Sequence, residues 1–228
     1  MPGKLITPDM IDLIAEVNRR EYDHPDLGTL RGAELHARSL PSFEALVGKP
    51  ITADCNRSYR AVHSSGNRPL SVIRGVLIHS EEAPTALSAA SWFTSQASAG
   101  STQLAVDDGI CYRCLDDDQI PWGAPGTNYN FIHIEQAGYA VWFTTLWSKK
   151  HRQTMMRCAY KTAFHLHKYG NPPIWLDVAA LKAGKHGVTD HRTATAAYGG
   201  THTDPGVNYP RLLFMTMVKG YYYTKTRR

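Results

Sequence analysis

Ser71-Val-Ile-Arg-Gly-Val-Leu-Ile-His79 is the clearest strand in the chain, because nearly all of its residues are apolar or β-branched. Such a run is typical of a central strand that is buried on both faces. Residues 86–96 follow after a short loop and carry apolar residues at helical spacing, which predicts a helix. The sequence therefore predicts a strand, a loop and a helix in succession, with His79 at the carboxyl end of the strand.

The rest of the sequence alternates strand patterns with helical ones. The patterns predict a hairpin over residues 101–115 and a second short strand over residues 131–135. They also predict a long helix over residues 142–169 and a closing helix over residues 212–222. Strands mixed with helices in this way, with a hairpin among them, predict an α/β or α+β layer fold built on a mixed sheet.

The composition turns polar from residue 48 to residue 69, and we place a boundary between two parts near residue 56. Residues 1–56 carry short helical patterns, and we interpret them as a helical and irregular N-terminal extension. Residues 57–228 are interpreted as one compact domain, long enough to bury a sizeable core. No motif in the extension indicates its role. Attachment to a protein partner and a cap on the domain are both open hypotheses.

The formal net charge is +5. A positive charge suits a partner with an anionic surface, such as nucleic acid, a membrane or a bacterial cell wall. No nucleic-acid-binding motif accompanies the basic runs, and no apolar run approaches the length of a membrane span. We therefore expect neither a nucleic-acid partner nor membrane insertion. The start, Met1-Pro-Gly-Lys4, has no apolar core of a signal peptide, which predicts synthesis in the cytoplasm.

The four cysteines indicate neither a disulfide framework nor a zinc ribbon. Cys111 and Cys114 form a single C-x-x-C in a strand-like run, while Cys55 and Cys158 are isolated and distant. We interpret Cys111 and Cys114 as unrelated strand residues on opposite faces.

The segment 188–206 contains metal-ligand residue types close together. His191, His202 and Asp204 lie within fourteen residues, and the glycines and proline among them predict a loop that folds back on one point. Imidazole and carboxylate are ligands that zinc takes in proteins. The segment therefore predicts part of a zinc site that needs a further ligand from elsewhere.

His79 is the candidate for that further ligand, because ligands gather at the carboxyl ends of strands in open α/β sheets. The alternative is an ordinary core histidine. Two histidines and one carboxylate, His79 and His191 with Asp204, leave a fourth zinc position open, which is typical of a catalytic site. His202 in place of His191 is the alternative ligand set.

Glu135 supplies a carboxylate in addition to the candidate zinc ligands. The period of two in Phe131-Ile-His-Ile-Glu135 places His133 and Glu135 on one face of the strand. A desolvated carboxylate at a strand end can act as general base toward a water molecule activated by zinc. A sheet-edge glutamate facing solvent is the alternative. His202, near the metal without binding it, can donate to the developing oxyanion of a substrate carbonyl.

Six motifs follow one another in an order that resembles the zinc-dependent N-acetylmuramoyl-L-alanine amidases of the type-2 class, relatives of the peptidoglycan recognition proteins. They are Gly75-Val-Leu-Ile-His-Ser80, Trp92-Phe93, Asp107-Asp-Gly109, Ile132-His-Ile-Glu135, Thr189-Asp-His-Arg192 and His202-Thr-Asp-Pro-Gly206. The chain is most similar to the amidase domains of endolysins from phages of actinobacteria.

The resemblance implies a central mixed sheet flanked by helices, with a zinc groove along one face. It implies that His79, His191 and Asp204 bind zinc (Zn²⁺) and that Glu135 is the catalytic carboxylate. His202 takes the place where many family members have a lysine that stabilises the tetrahedral intermediate. The implied reaction is hydrolysis of the amide between N-acetylmuramic acid and the L-alanine of the stem peptide, with peptidoglycan as the partner.

The implied substrate groove is lined by Ser80, Trp122, His133 and Thr203. Two departures from the family pattern lie around it. Ser101-Thr-Gln-Leu104 stands where the family commonly has Ser-Ala-His-Tyr, and Gly123 follows Trp122 where the family often has a histidine. The implied setting is a phage lysin, made in the host cytoplasm and acting on the cell wall after release or as part of a virion. A non-catalytic peptidoglycan-binding module of the same fold is the alternative, but all three ligand candidates are present.

Overall fold

Five strands form one mixed sheet in the computed structural model, which describes residues 54–225. They are β1 (Gly75–Ser80), β2 (Leu104–Val106), β3 (Cys111–Arg113), β4 (Phe131–Gln136) and β5 (Gly187–Asp190). Their order is β3-β2-β4-β1-β5, and every neighbouring pair is parallel except β2 with β3. β1 has a neighbour on each side and is buried along its whole length. The predicted α+β fold with a mixed sheet is confirmed.

In the part of the chain that the structure describes, five α-helices accompany this sheet. They are α1 (Ala86–Phe93), α2 (Arg152–Lys168), α3 (Val178–Lys182), α4 (His191–Tyr198) and α5 (Arg211–Lys225). α2 contacts β1 and β4, while α4 contacts β1, β5 and α3. One apolar cluster joins the sheet to the helices, with Leu77 and Phe131 against Leu181 and Ala194. Among the described residues, no helix is long and apolar enough to cross a membrane.

The long helix predicted over residues 142–169 is interrupted. A π-helical turn covers Leu146–Lys150, and α2 begins only at Arg152. Trp147 is fully buried, and the ring of Trp142 stacks on His151 with centroids 4.0 Å apart. The packing of these aromatic side chains sets the local path of the chain, which the apolar periodicity alone does not reveal.

The segment predicted as one loop, residues 188–206, is a strand followed by a helix. β5 ends at Asp190, whose side chain caps α4 by accepting a hydrogen bond from Thr193 N at 2.7 Å. His191 is therefore the first residue of a helix, and only the part from Gly199 onward is irregular. The prediction failed because β5 is short and pairs in parallel with the distant β1, so no hairpin turn marks it in the sequence as one marks β2 and β3.

Cys111 is not an unpaired strand residue, because it forms a disulfide with Cys55. Asn56 pairs in parallel with Tyr112, so the chain from residue 54 runs along the outer edge of β3. Cys114 and Cys158 are buried free thiols. The expected extension, residues 1–56, lies outside the described residues except for its last three, so its predicted helices and its role remain predictions.

Candidate functional site

Three adjacent strand ends bring the predicted site residues together. β1 and β4 pair so that His79 lies beside Glu135, and β5 on the other side of β1 leads directly into His191. Asp204 comes from the loop after α4, where its carbonyl accepts a hydrogen bond from Arg192 N at 2.9 Å. The parallel arrangement of the strands is what places these ends at one edge of the sheet.

The ligand atoms of His79, His191 and Asp204 are in mutual contact. His79 Nδ1 lies 3.0 Å from His191 Nδ1 and 3.1 Å from Asp204 Oδ2. His191 Nδ1 lies 3.0 Å from Asp204 Oδ1. All three side chains are buried, and their ligand atoms lie within 4.8 Å of one another. Among the described residues this is the one such group that could hold a metal ion.

The donor set fits zinc in chemistry and in spacing. Burial lowers the pKa of His79, which favours the neutral imidazole that a metal ligand requires. Burial alone would raise the pKa of Asp204, but hydrogen bonds to His191 and His79 hold it below its usual range. Two ligands at about 2.05 Å from a tetrahedral zinc ion are about 3.3 Å apart, close to the separations in the cluster.

Glu135 lies beside the cluster with an unpaired oxygen. Its Oε1 is 3.8 Å from His79 Nδ1, and its side chain is 14% exposed. Its Oε2 is buried with no hydrogen-bond partner among the described residues. Burial, together with the charges of Asp204 and Glu82, raises the pKa of Glu135 well above its usual range. A carboxylate in these surroundings is suited to accepting a proton.

His202 lies at the surface next to the cluster. Its side chain is 63% exposed, and its Nδ1 is 3.8 Å from Asp204 Oδ1. Its ring stacks on His191 with centroids 4.3 Å apart. Of the two alternative ligand sets, the geometry groups His191 and not His202 with His79 and Asp204. His202 stands where a substrate can reach it.

The residues expected to line the groove are divided between surface and interior. Trp122 is exposed, stacks on His63 with centroids 4.5 Å apart and donates from Nε1 to Ser65 Oγ. Thr203 is exposed as well. Ser80 is buried, and its hydroxyl donates to a neighbouring glutamate instead of facing solvent.

His133 does not line an open groove, because it is fully buried. Its Nδ1 lies 3.1 Å from His79 Nε2, on the far side of that ring from the ligand atoms. A Cβ atom at Gly123 would lie 2.2 Å from His133 Nδ1. The departure from the family pattern at Gly123 therefore has a physical reason, since the His133 ring occupies that space.

Glu82 connects two loops of the site, a role that no sequence pattern predicted. Its Oε1 accepts hydrogen bonds from Ser80 Oγ at 2.8 Å and from Ala140 N at 2.7 Å. Its φ of 52° is uncommon for a residue other than glycine and allows the tight turn after β1. A single glutamate in a loop carries no signal of such a contact.

Gly206 lies in the loop that carries Asp204 and packs this loop against the segment that contains Ala140. It has a φ of 96°, and a Cβ atom there would lie 1.9 Å from the carbonyl oxygen of Ala140. The two segments that meet here carry the exposed apolar side chains Val141, Phe143 and Val207. Sequence periodicity did not identify them, because exposed apolar residues in loops follow no repeat.

Comparisons with known proteins agree with this arrangement. The family model described as N-acetylmuramoyl-L-alanine amidase (Amidase_2) matches residues 67–207. The fold is similar to that of the Staphylococcus aureus hydrolase AmiA, crystallised with its ligand, at 18% identity over 81% of this chain and 89% of that chain, with a TM-score of 0.64. It is also similar to a selenomethionine derivative of AmpD, at 16% identity over 74% of this chain and 96% of that chain, with a TM-score of 0.51. No curated protein sequence matches the chain.

Structural likeness at these identities shows a shared fold. The family model goes further, because it spans more than half of the 228 residues and includes all of the clustered side chains described above. The chain belongs to the N-acetylmuramoyl-L-alanine amidase family.

Proposed function

We propose that this amidase is zinc-dependent and that His79, His191 and Asp204 are its zinc ligands. The observation that carries the proposal is the contact of their three ligand atoms at 3.0–3.1 Å, with the unpaired carboxylate of Glu135 beside them. The substrate bond is the amide between N-acetylmuramic acid and the L-alanine of the peptidoglycan stem peptide, as the family implies.

A zinc ion held there would supply a Lewis acid that lowers the pKa of water and polarises the substrate carbonyl. Glu135 accepts a proton from the attacking water as the new C–O bond forms. It then delivers that proton to the alanine nitrogen as the C–N bond breaks, which leaves a free amine and a lactyl carboxylate. General acid–base assistance of this kind contributes roughly 10²–10⁴-fold to a rate.

His202 is proposed to stabilise the negative charge on the carbonyl oxygen in the tetrahedral intermediate. Its exposed ring, stacked on His191, stands at the rim of the cluster, where a substrate carbonyl can approach. A donor aimed at charge that develops in the transition state is worth about 3 kcal/mol.

Digestion of purified peptidoglycan by the wild type, His79→Ala and His167→Ala tests this function. His167 is an exposed histidine of α2 outside the cluster and serves as the matched control. Mass spectrometry of the products is expected to show stem peptides with a free N-terminal L-alanine for the wild type and the control only. Metal analysis is expected to find zinc in the same two proteins. Release of those peptides by zinc-free His79→Ala would contradict the proposal.

We also propose that this amidase acts as a phage lysin, made in a bacterial host and acting on its cell wall. The order of the six motifs and the net charge of +5, which suits an anionic wall, support this. Purified protein is expected to clear suspensions of actinobacterial cell walls. If the protein clears none of a panel of such walls but still cleaves soluble muropeptides, the lysin role is contradicted. The amidase reaction would then still stand.

A further inference from the structure

His133 makes the closest polar contact to the side of His79 that faces away from the candidate zinc site. His133 Nδ1 is 3.1 Å from His79 Nε2, and the two ring planes are inclined by 31°. Glu135, two residues further along β4, lies near the opposite nitrogen of the same ring. One strand therefore presents one side chain to each nitrogen of His79.

The position of His133 is fixed from several directions. Its backbone N–H donates to Gln103 Oε1 at 2.8 Å, and its carbonyl oxygen accepts from Thr102 Oγ1 at 2.7 Å. Gly123 packs so closely on the ring that a Cβ atom there would lie 2.2 Å from Nδ1. The imidazole is fully buried, so it has no freedom to turn toward solvent.

The chemistry of a neutral ligand imidazole demands a partner at this point. A histidine that binds a metal through Nδ1 carries its proton on Nε2, and a buried N–H without an acceptor is costly. Metal-bound histidines accordingly donate their second N–H to a fixed acceptor, which sets the tautomer and the orientation of the ring.

We propose that His133 is a positioning residue that accepts a hydrogen bond from His79 Nε2–H at its own Nδ1 and so holds His79 Nδ1 toward the metal. The proposal rests on the proposed function, because it takes the cluster to be a zinc site. His133 does not touch substrate. It acts on the reaction through His79 alone.

Substitution of His133 tests the hydrogen bond directly. His133→Leu removes the acceptor and leaves the His79 N–H unpaired, whereas His133→Asn places an amide oxygen near the position of Nδ1. Zinc affinity, measured by competition with a chelator, is expected to fall roughly 10–100-fold in His133→Leu and to recover most of that loss in His133→Asn. Equal zinc affinity of wild type and His133→Leu would overturn the proposal.

The zinc-loaded wild type provides a second measurement that needs no substitution. Nitrogen-15 spectra are expected to show His79 protonated at Nε2 and His133 unprotonated at Nδ1. A proton on His133 Nδ1 would reverse the direction of the hydrogen bond and overturn the proposal, even if His133→Leu does not fold.

The same experiments separate this inference from the proposed function. If His79→Ala loses zinc while His133→Leu keeps normal affinity, the zinc site stands and the role of His133 fails. If His79→Ala retains zinc, the proposed site itself fails. A residue with a purely structural role would lower the free energy of unfolding of the zinc-free protein without changing the dissociation constant for zinc.

Discussion

Asp117 and Glu135 are both carboxylates in the interior, and their surroundings are opposite. Asp117 is 6% exposed, and its oxygens accept from three donors, Arg113 at 2.7 Å, Lys168 at 2.7 Å and Tyr169 at 2.5 Å. Burial alone would raise the pKa of Asp117, but neighbouring basic groups, His165 first, hold it far below its usual range. This carboxylate is charged and fully paired.

Glu135 has none of these donors. One of its oxygens has no partner among the described residues, and burial with nearby negative charge raises its pKa well above its usual range. A buried carboxylate without hydrogen-bond donors costs stability when it is charged, and groups whose pKa is strongly shifted in this way cluster at functional sites. The comparison indicates that Asp117 stabilises the fold, and it supports the catalytic role that we propose for Glu135.

The largest effect is expected from Glu135→Gln. Turnover of a defined muropeptide should fall roughly 10²–10⁴-fold, because the proton acceptor is lost. Zinc content should remain, and urea unfolding should show no loss of stability, because a neutral amide replaces a carboxyl group for which charge is unfavourable. Unchanged turnover would remove Glu135 from the mechanism, and loss of zinc would make it a ligand.

Zinc removal should have the next largest effect, and it acts on stability as well as turnover. The zinc-free protein should gain about 4 kcal/mol in unfolding free energy when free zinc reaches about 1,000 times its dissociation constant. His191→Ala should abolish this gain, measured by urea denaturation, since it removes one of the three ligands. The same gain in His191→Ala would indicate zinc binding elsewhere.

Asp117→Asn should lower the free energy of unfolding by about 3 kcal/mol while turnover per folded molecule stays normal, because the largely buried Arg113 and His165 lose their charged partner. Asp116→Asn is the matched control. Asp116 has a side chain that is 43% exposed and pairs with Arg57 and Arg60 at the surface. Its loss should cost under about 1 kcal/mol. Equal effects of the two substitutions in urea denaturation would undo the comparison.

The smallest effects concern the pH dependence of stability in the zinc-free protein. The pKa of Asp117 is lowered by folding, so its contribution is present above the unfolded pKa of about 3.9 and is lost as the pH falls below it. The pKa of Glu135 is raised by folding, so stability falls as the pH rises from its unfolded pKa toward the folded one. The free energy of unfolding should be measured by urea denaturation between about pH 3 and pH 8 and plotted against pH. Relative to the wild type, the slope of this plot should change in opposite directions in Asp117→Asn and Glu135→Gln. Parallel slopes would contradict both directions.

The sequence predicted those parts of the fold that have a local pattern. β1 and the β2–β3 hairpin are visible as apolar runs and a turn, although the strand proper begins at Gly75 and not at residue 71. β5 is short and pairs with the distant β1, and α4 owes its start to the Asp190 cap, so the two were taken together as a loop. The Cys55–Cys111 pair spans 56 positions and has no local signature.

The sequence likewise predicted some residues of the candidate site and missed one of its contacts. Residue type and position at strand ends were enough to single out His79 and Glu135, and the structure brings both to one edge of the sheet. The contact between His133 and His79 depends on β4 lying next to β1 in a particular register, which pairs Leu77 with His133. Register and strand order arise from packing between distant segments, so the alternation along β4 could place His133 on the face of Glu135 but could not show its contact with His79.

The disulfide between Cys55 and Cys111 has a mechanical consequence. Residues 56–110 lie inside the covalent loop that it closes, and His79 with all of β1 and α1 is among them. Tension applied to the chain before Cys55 passes across the sulfur–sulfur bond directly into β3. The enclosed residues carry none of that load, so the strand that presents His79 stays unstretched when the N-terminal side of the protein is pulled.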